Sequence, residues 1–133
     1  MSDLTITTSQ VQGESTVTIL HLGGHLHGNT ERQLLDHARQ VREDGATHLL
    51  LDLSELEVLS SAGLRAIQNI FKLFTPPSDV ELIQKHDAEP YKSPYLKMVC
   101  PNPQIYYVLN ITGFMQNLYI YNNMDDAIKS FSS

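Results

Sequence analysis

Between His48 and Pro77 the chain passes from an unbroken apolar run to a helical apolar stripe and then to paired prolines, and that succession leaves few ways to fold. His48-Leu49-Leu50-Leu51-Asp52-Leu53 lacks the alternation of a half-exposed strand, and runs of this kind belong to strands covered on both faces inside a parallel or mixed sheet. Leu64, Ile67, Ile70, Phe71 and Phe74 then recur at helical spacing. Pro76-Pro77 must end that helix, because proline lacks a donor and restricts the residue before it, so a span of about 61 to 74 is expected. A strand buried on both faces needs helices to cover it, and strand, helix, strand is the repeating unit of parallel sheets.

The rest of the chain extends this alternation. Leu4 to Val11 and Thr16 to Leu22 mix β-branched and polar residues around Gly13-Glu14-Ser15, the pattern of a β-hairpin, and Gly23-Gly24 is expected to break its second strand. Thr30 and Gln33 are spaced to cap each other's orphan amides, so a helix should begin there. It would bury Leu34, Leu35, Ala38 and Val41 and end at a left-handed Gly45. Leu96 to Cys100 reads as a second buried strand, and Pro101-Asn102-Pro103 closes it and opens a helix holding Ile105, Val108, Leu109 and Ile111 until Gly113. Leu118 to Tyr121 reads as a strand, and Asn123, followed by Asp125 and Asp126, caps a last helix that ends near Phe131.

The order β-β-α-β-α-β-α-β-α predicts an α/β fold: a mixed, mostly parallel sheet of four to five strands with four helices, the hairpin adding an antiparallel edge. With 133 residues, 41% of them hydrophobic, residues 1 to 133 are expected to bury one core as one domain. Residues 76 to 94 stand outside the alternation as a polar insertion, longer than a plain connection, and Val80 to Ile83 within it suits a strand or a helix. A partner-specific arm, a dimerisation element and a disordered loop all remain open for it.

Composition excludes several functions. A formal charge of −6 with nine Lys and Arg scattered along the chain argues against nucleic acid or an anionic membrane as partner. Cys100 is the only cysteine, so no internal disulfide or Cys-rich zinc site is expected, and the thiol should be a buried, inert hydrophobe. The first residues lack a basic stretch followed by an apolar run, and nothing approaches the roughly 18 apolar residues of a spanning helix. A soluble protein of the cytoplasm, without direct membrane insertion, is expected.

Asp52 with Glu55 or Glu57 lacks an accompanying nucleophile, phosphate cradle or metal constellation, so neither catalysis nor a cofactor is expected. His21, His25 and His27 fall on one face of an extended segment, an arrangement that suits zinc or nickel. No fourth ligand stands nearby in the sequence, so surface or partner-facing histidines are the simpler reading and no metal is expected. Tyr106, Tyr107, Tyr119 and Tyr121 suit core and rim positions, with Tyr106 and Tyr107 pointing one inward and one outward.

Ser60 precedes the apolar helix as a natural N-cap, and Ser61 then falls in its first turn. Leu51-Asp52-Leu53 through Ser60-Ser61-Ala62-Gly63-Leu64, within this element order, resembles the STAS domain, the sulfate-transporter and anti-sigma-factor-antagonist family, whose hallmark is Asp-Ser-x-Gly-Leu after a hydrophobic strand. Ser60 stands where the family has the Asp, and Ser61 at the phosphoacceptor. Gly24-His25-Leu26-His27 ahead of Thr30 resembles the family's Gly-x-Leu-Asp, with His27 in place of the Asp, and Asn110-Ile111-Thr112-Gly113-Phe114 its apolar-x-x-Gly-Leu segment.

The resemblance implies an anti-sigma factor antagonist that binds an anti-sigma factor or serine kinase and is switched off by phosphorylation of Ser61, with no activity of its own. It places the partner surface at His27, Thr30, Ser60, Ser61, Ala62, Gly63 and Arg65. The same fold also serves as an unphosphorylated scaffold or ligand module, such as a stressosome-like subunit or the soluble component of a transporter, and homo-oligomers are compatible with either role. A phosphate on a first-turn serine suits the free amides and the helix dipole, while adding about −1.5 to −2 charge to any surface that docks there.

Overall fold

The structure, a computed structural model, describes residues 3–13, 15–84, 91–111 and 113–132. β1 (Leu4–Gln12) and β2 (Thr16–Leu26) form the expected hairpin, with Leu4 opposite Gly24 and Gln12 opposite Thr16. There follow α1 (Glu31–Glu43), β3 (Leu49–Leu59), α2 (Ser61–Phe74), α3 (Pro77–Gln84), β4 (Leu96–Val99), α4 (Pro103–Ile111), β5 (Tyr119–Tyr121) and α5 (Met124–Lys129). The sheet order is β1-β2-β3-β4-β5, antiparallel at the first pair and parallel at the other three. The mixed, mostly parallel α/β sheet read from the pattern is the one that forms.

β3 runs through the middle and shows why its sequence is apolar throughout. Leu49, Leu51 and Leu53 join Leu20 and Leu22 under Leu34, Ala38, Ile67, Ile70, Ile105 and Leu109 of α1, α2 and α4. Leu50 points the other way, where it packs with Val17, Ile19 and Val99 against Ala127 and Phe131. Cys100 is buried, and that burial raises its thiol pKa.

Several expectations are corrected. There are five α-helices among the described residues rather than four, because α3 forms inside the 76 to 94 segment. Pro77 takes its first turn, where a missing amide costs nothing, but Val80, Leu82 and Ile83 stay exposed. Residues 85–90 of that segment lie outside the described residues. Beyond them the chain is tied down: Tyr91 donates to Asp79 Oδ2 at 2.6 Å, and buried Ser93 accepts from the amides of Tyr95 and Leu96 at 3.1 Å. β2 is not broken by Gly23-Gly24 but continues to Leu26 with two register shifts against β3. Gly24 takes φ +89°, and a Cβ there would lie 2.3 Å from the Asp3 carbonyl oxygen.

The Thr30 and Gln33 side chains do not form the expected box. Thr30 Oγ1 donates to the His25 carbonyl at 2.9 Å and accepts from the His27 amide at 3.0 Å, while Gln33 donates to the Leu4 carbonyl at 3.0 Å. Tyr106 and Tyr107 do not diverge either: they are 39% and 64% exposed, since α4 buries only Ile105 and Leu109. Ile111 is exposed for the same reason. Among the described residues, no helix is long and apolar enough to cross a membrane.

Asp52 is the buried carboxylate of β3. Burial opposes its ionisation, yet hydrogen bonds from the Ser54 hydroxyl, from His21 and from the Ser54 amide outweigh it and hold the pKa below the ordinary value of 3.8. A folded-state pKa below the unfolded one contributes stability that is present above that ordinary value and is lost as the pH falls through the folded value. Asp52→Asn should therefore cost about 1 to 3 kcal/mol at neutral pH, and its deficit should shrink toward about pH 3. Urea unfolding of both proteins across that range checks it; a deficit that does not change with pH would contradict it.

Candidate functional site

The head of α2 is built by Ser60, whose extended backbone (φ −99°, ψ 174°) turns the chain out of β3. Its side chain caps the helix as expected, accepting from the Gly63 amide at 3.4 Å, and its own amide donates to the Leu26 carbonyl at 3.0 Å. The end of β2 and the start of α2 are thereby fastened together. Gly63 is the residue that lets them meet: a Cβ on it would lie 2.8 Å from Leu26 Cγ and 2.9 Å from both the Leu26 oxygen and Leu59 Cδ1. Ala62 and Gly63 are buried, so their contribution is close packing, while Ser61 opens the helix in an exposed position. First-turn amides have no preceding helical carbonyl to bond, and no acidic residue occupies this turn.

Beside it lies the turn from His27 to Thr30. Thr30 is buried and its hydroxyl braces the turn, whereas His27 is half-buried at the rim. A Cβ on Gly28 would stand 4.0 Å from Ala62 Cβ, which places the turn against the helix head. His27, Thr30, Ser60, Ser61, Ala62 and Gly63 are thus gathered at the ends of β2 and β3. Arg65, one turn along α2, is exposed with Nη2 3.9 Å from Glu31 Oε1. It lines a groove of about 590 Å³ between α1 and α2, together with Gly28, Glu31, Arg32, Arg39 and Asn69. Nothing in the sequence separates Arg32 and Arg39 from the other scattered basic residues except their seven-residue spacing, which places them on one face of α1.

The other candidates separate. Asp52 turns away from Glu55 and Glu57 and bonds His21 Nδ1 at 2.8 Å, while His21 Nε2 meets Ser9 Oγ at 2.9 Å. Both ring nitrogens of His21 are therefore engaged in supporting the buried carboxylate. His25 and His27 move the other way, toward Asp3 and Glu57. The partnership of Ser9 with His21 also went unread, because nothing in a sequence marks which cross-strand diagonal will pair.

Residues 8–83 match the STAS domain family model. The fold is similar to a crystal structure of an anti-sigma factor antagonist from Mycobacterium paratuberculosis, with a TM-score of 0.70, 19% identity, and coverage of 97% of this chain and 96% of that one. It is similar to a candidate anti-sigma factor antagonist from Thermotoga maritima (TM-score 0.72, 20% identity, 95% of each chain). It also resembles the Bacillus cell fate determinant SpoIIAA in its phosphorylated form (TM-score 0.58, 15% identity, 94% of this chain and 97% of that one). At these identities the likeness is one of fold. No curated protein sequence matches the chain.

The clamp at Gly63 has a measurable consequence. In an open helix Gly to Ala gains about 1 kcal/mol, but overpacking a tight contact costs about 1 to 3 kcal/mol. Gly63→Ala is expected to lower the urea midpoint, and a raised midpoint would show that the helix head is not pressed onto Leu26.

Proposed function

This chain belongs to the STAS domain family, and from that premise we propose that it is an anti-sigma factor antagonist, a binding module without catalysis of its own that phosphorylation of Ser61 turns off. Its partner is an anti-sigma factor or serine kinase, docked over the head of α2 and the His27 to Thr30 turn. The observation that carries this reading is the contrast within Ser60-Ser61-Ala62-Gly63: three residues serve the cap and the close packing, and Ser61 alone offers an exposed hydroxyl.

The physical chemistry supports a switch that needs no refolding. A phosphate on Ser61 meets the free first-turn amides and the positive end of the helix dipole, so the folded state accommodates it. Arg65, four residues on, lies within reach along the same face. Pairing with the phosphate would draw it from Glu31, 3.9 Å away, and alter the wall of the adjoining groove. With Arg32, Arg39 and Arg65 on its walls, that groove suits a partner presenting carboxylates, which a phosphate at its rim would repel. Ser60 in place of the family's Asp removes one carboxylate from beside the acceptor and leaves the cap intact. SpoIIAA, of similar fold, has been determined in both unphosphorylated and phosphorylated forms.

A second reading, a scaffold without the switch, is favoured by the exposed apolar side chains Val80, Leu82 and Ile83 on α3, which suit assembly. It predicts large assemblies on size exclusion.

Incubation with ATP and the cognate serine kinase should add one phosphate, seen by intact-mass analysis and abolished in Ser61→Ala. No added phosphate, or addition elsewhere, would overturn the switch. Ser61→Asp should keep the free energy of urea unfolding within about 0.5 kcal/mol of wild type while weakening partner capture about tenfold or more. Retained wild-type affinity in a pull-down would contradict that.

A further inference from the structure

We propose that Asp3, His25 and His27 form a site for a divalent transition metal ion of the zinc or nickel class, with Glu57 beside His25 at its edge. The ligand atoms of Asp3, His25 and His27 all lie within 4.8 Å of one another. Tetrahedral zinc with bonds of about 2.0 to 2.1 Å sets its donors roughly 3.3 Å apart. His27 Nε2 and Asp3 Oδ2 already stand 3.3 Å apart, as do His25 Nε2 and Glu57 Oε2. Small side-chain rotations would bring the donors onto one ion.

Sequence spacing pointed to His21 with the other two histidines and left the set a ligand short. The structure replaces His21, held by Asp52 and Ser9, with a carboxylate from the start of β1. Asp3 is placed by backbone rather than by chance of side-chain position. Its carbonyl accepts from the His25 amide at 2.8 Å, and the approach requires the left-handed Gly24 between them. His25 sits on β2, and Asp3 and His27 flank the ends of the paired strands β1 and β2, so the backbone that carries the donors loses little conformational freedom on binding. Two imidazoles with carboxylates select zinc, nickel, cobalt or copper over magnesium and calcium, which prefer all-oxygen ligands.

Loading the site should be felt in the turn beside Ser61. The Asn29 amide donates to His27 Nδ1 at 3.1 Å, so the neutral ring carries its proton on Nε2 and presents it to Asp3. A cation at Nε2 takes that place, the ring's one proton moves to Nδ1, and the Asn29 amide loses its acceptor.

Titration of the untagged 133-residue chain with zinc chloride, followed by calorimetry and by ¹H–¹⁵N spectra, tests the proposal. Saturation at one ion per chain is expected, with shifts concentrated at Asp3, His25, His27 and Asn29. His25→Gln and His27→Gln should each weaken binding at least about tenfold, the lower end of what even outer-shell partners contribute. His37→Gln, whose ring bonds Thr8 instead, should bind as wild type. Absence of saturable zinc binding, wild-type affinity in both ligand variants, or shifts centred elsewhere in the wild-type spectrum would overturn it.

Discussion

The backbone of α2 touches the end of β2 at Gly63, and most of what distinguishes this surface follows from that contact. With Leu26 and Leu59 atoms within 3 Å of where a side chain would begin, the helix can enter the sheet edge only if this residue has none. The Ser60 amide bonded to the Leu26 carbonyl then sets the angle of entry, and the Ser60 hydroxyl closes the cap. Ser61 is left as the first exposed residue of a helix whose direction is fixed by its neighbours. The Gly28 turn lies against Ala62 beside this contact, and α1 packs alongside α2 over the shared core with the arginine-lined groove between them.

The two faces of the sheet are treated differently by the sequence. One face is closed by α1, α2 and α4 over a large cluster of leucines and isoleucines; the other is closed by α5 over a smaller cluster. Buried polar groups mark that second face: Asp52 is held by Ser54 and His21, and Lys97 reaches Ser130 at 3.0 Å while lying 4.5 Å from the Phe131 ring centre. These groups are satisfied, which is the condition on which a small domain can keep them inside.

How far the chain could be read depended on whether a signal was local. The second helix was placed over 61 to 74 because its stripe and Pro76-Pro77 both lie within a few turns, and it forms as Ser61–Phe74. Asn123 and Gly45 were read correctly for the same reason: each acts on its own neighbours, and Asn123 accepts from Asp126 at 2.9 Å while Gly45 takes φ +108°. The expectations that differ turn on contacts that the local pattern does not specify. Gly23-Gly24 looks like a break until Asp3 is seen to need the space; Thr30 looks like a cap until its hydroxyl is claimed by His25 and His27; the extension of β3 to Leu59 depends on pairing with the end of β2. Within the site, Ser60 and Ser61 were visible as a helix start, whereas Arg32, Arg39 and Asp3 reach it only through the fold.

A switch of this kind requires that Ser61 be modified without disturbance of the clamp beneath it. Amide hydrogen exchange of the phosphorylated and unphosphorylated protein measures this most directly. Protection should be unchanged in β2, β3 and the interior of α2, with differences confined to residues 27 to 31 and 60 to 66. Loss of protection along β2 and β3 on phosphorylation would contradict the account, because it would mean that the phosphate works by loosening the fold and not by changing the surface it presents.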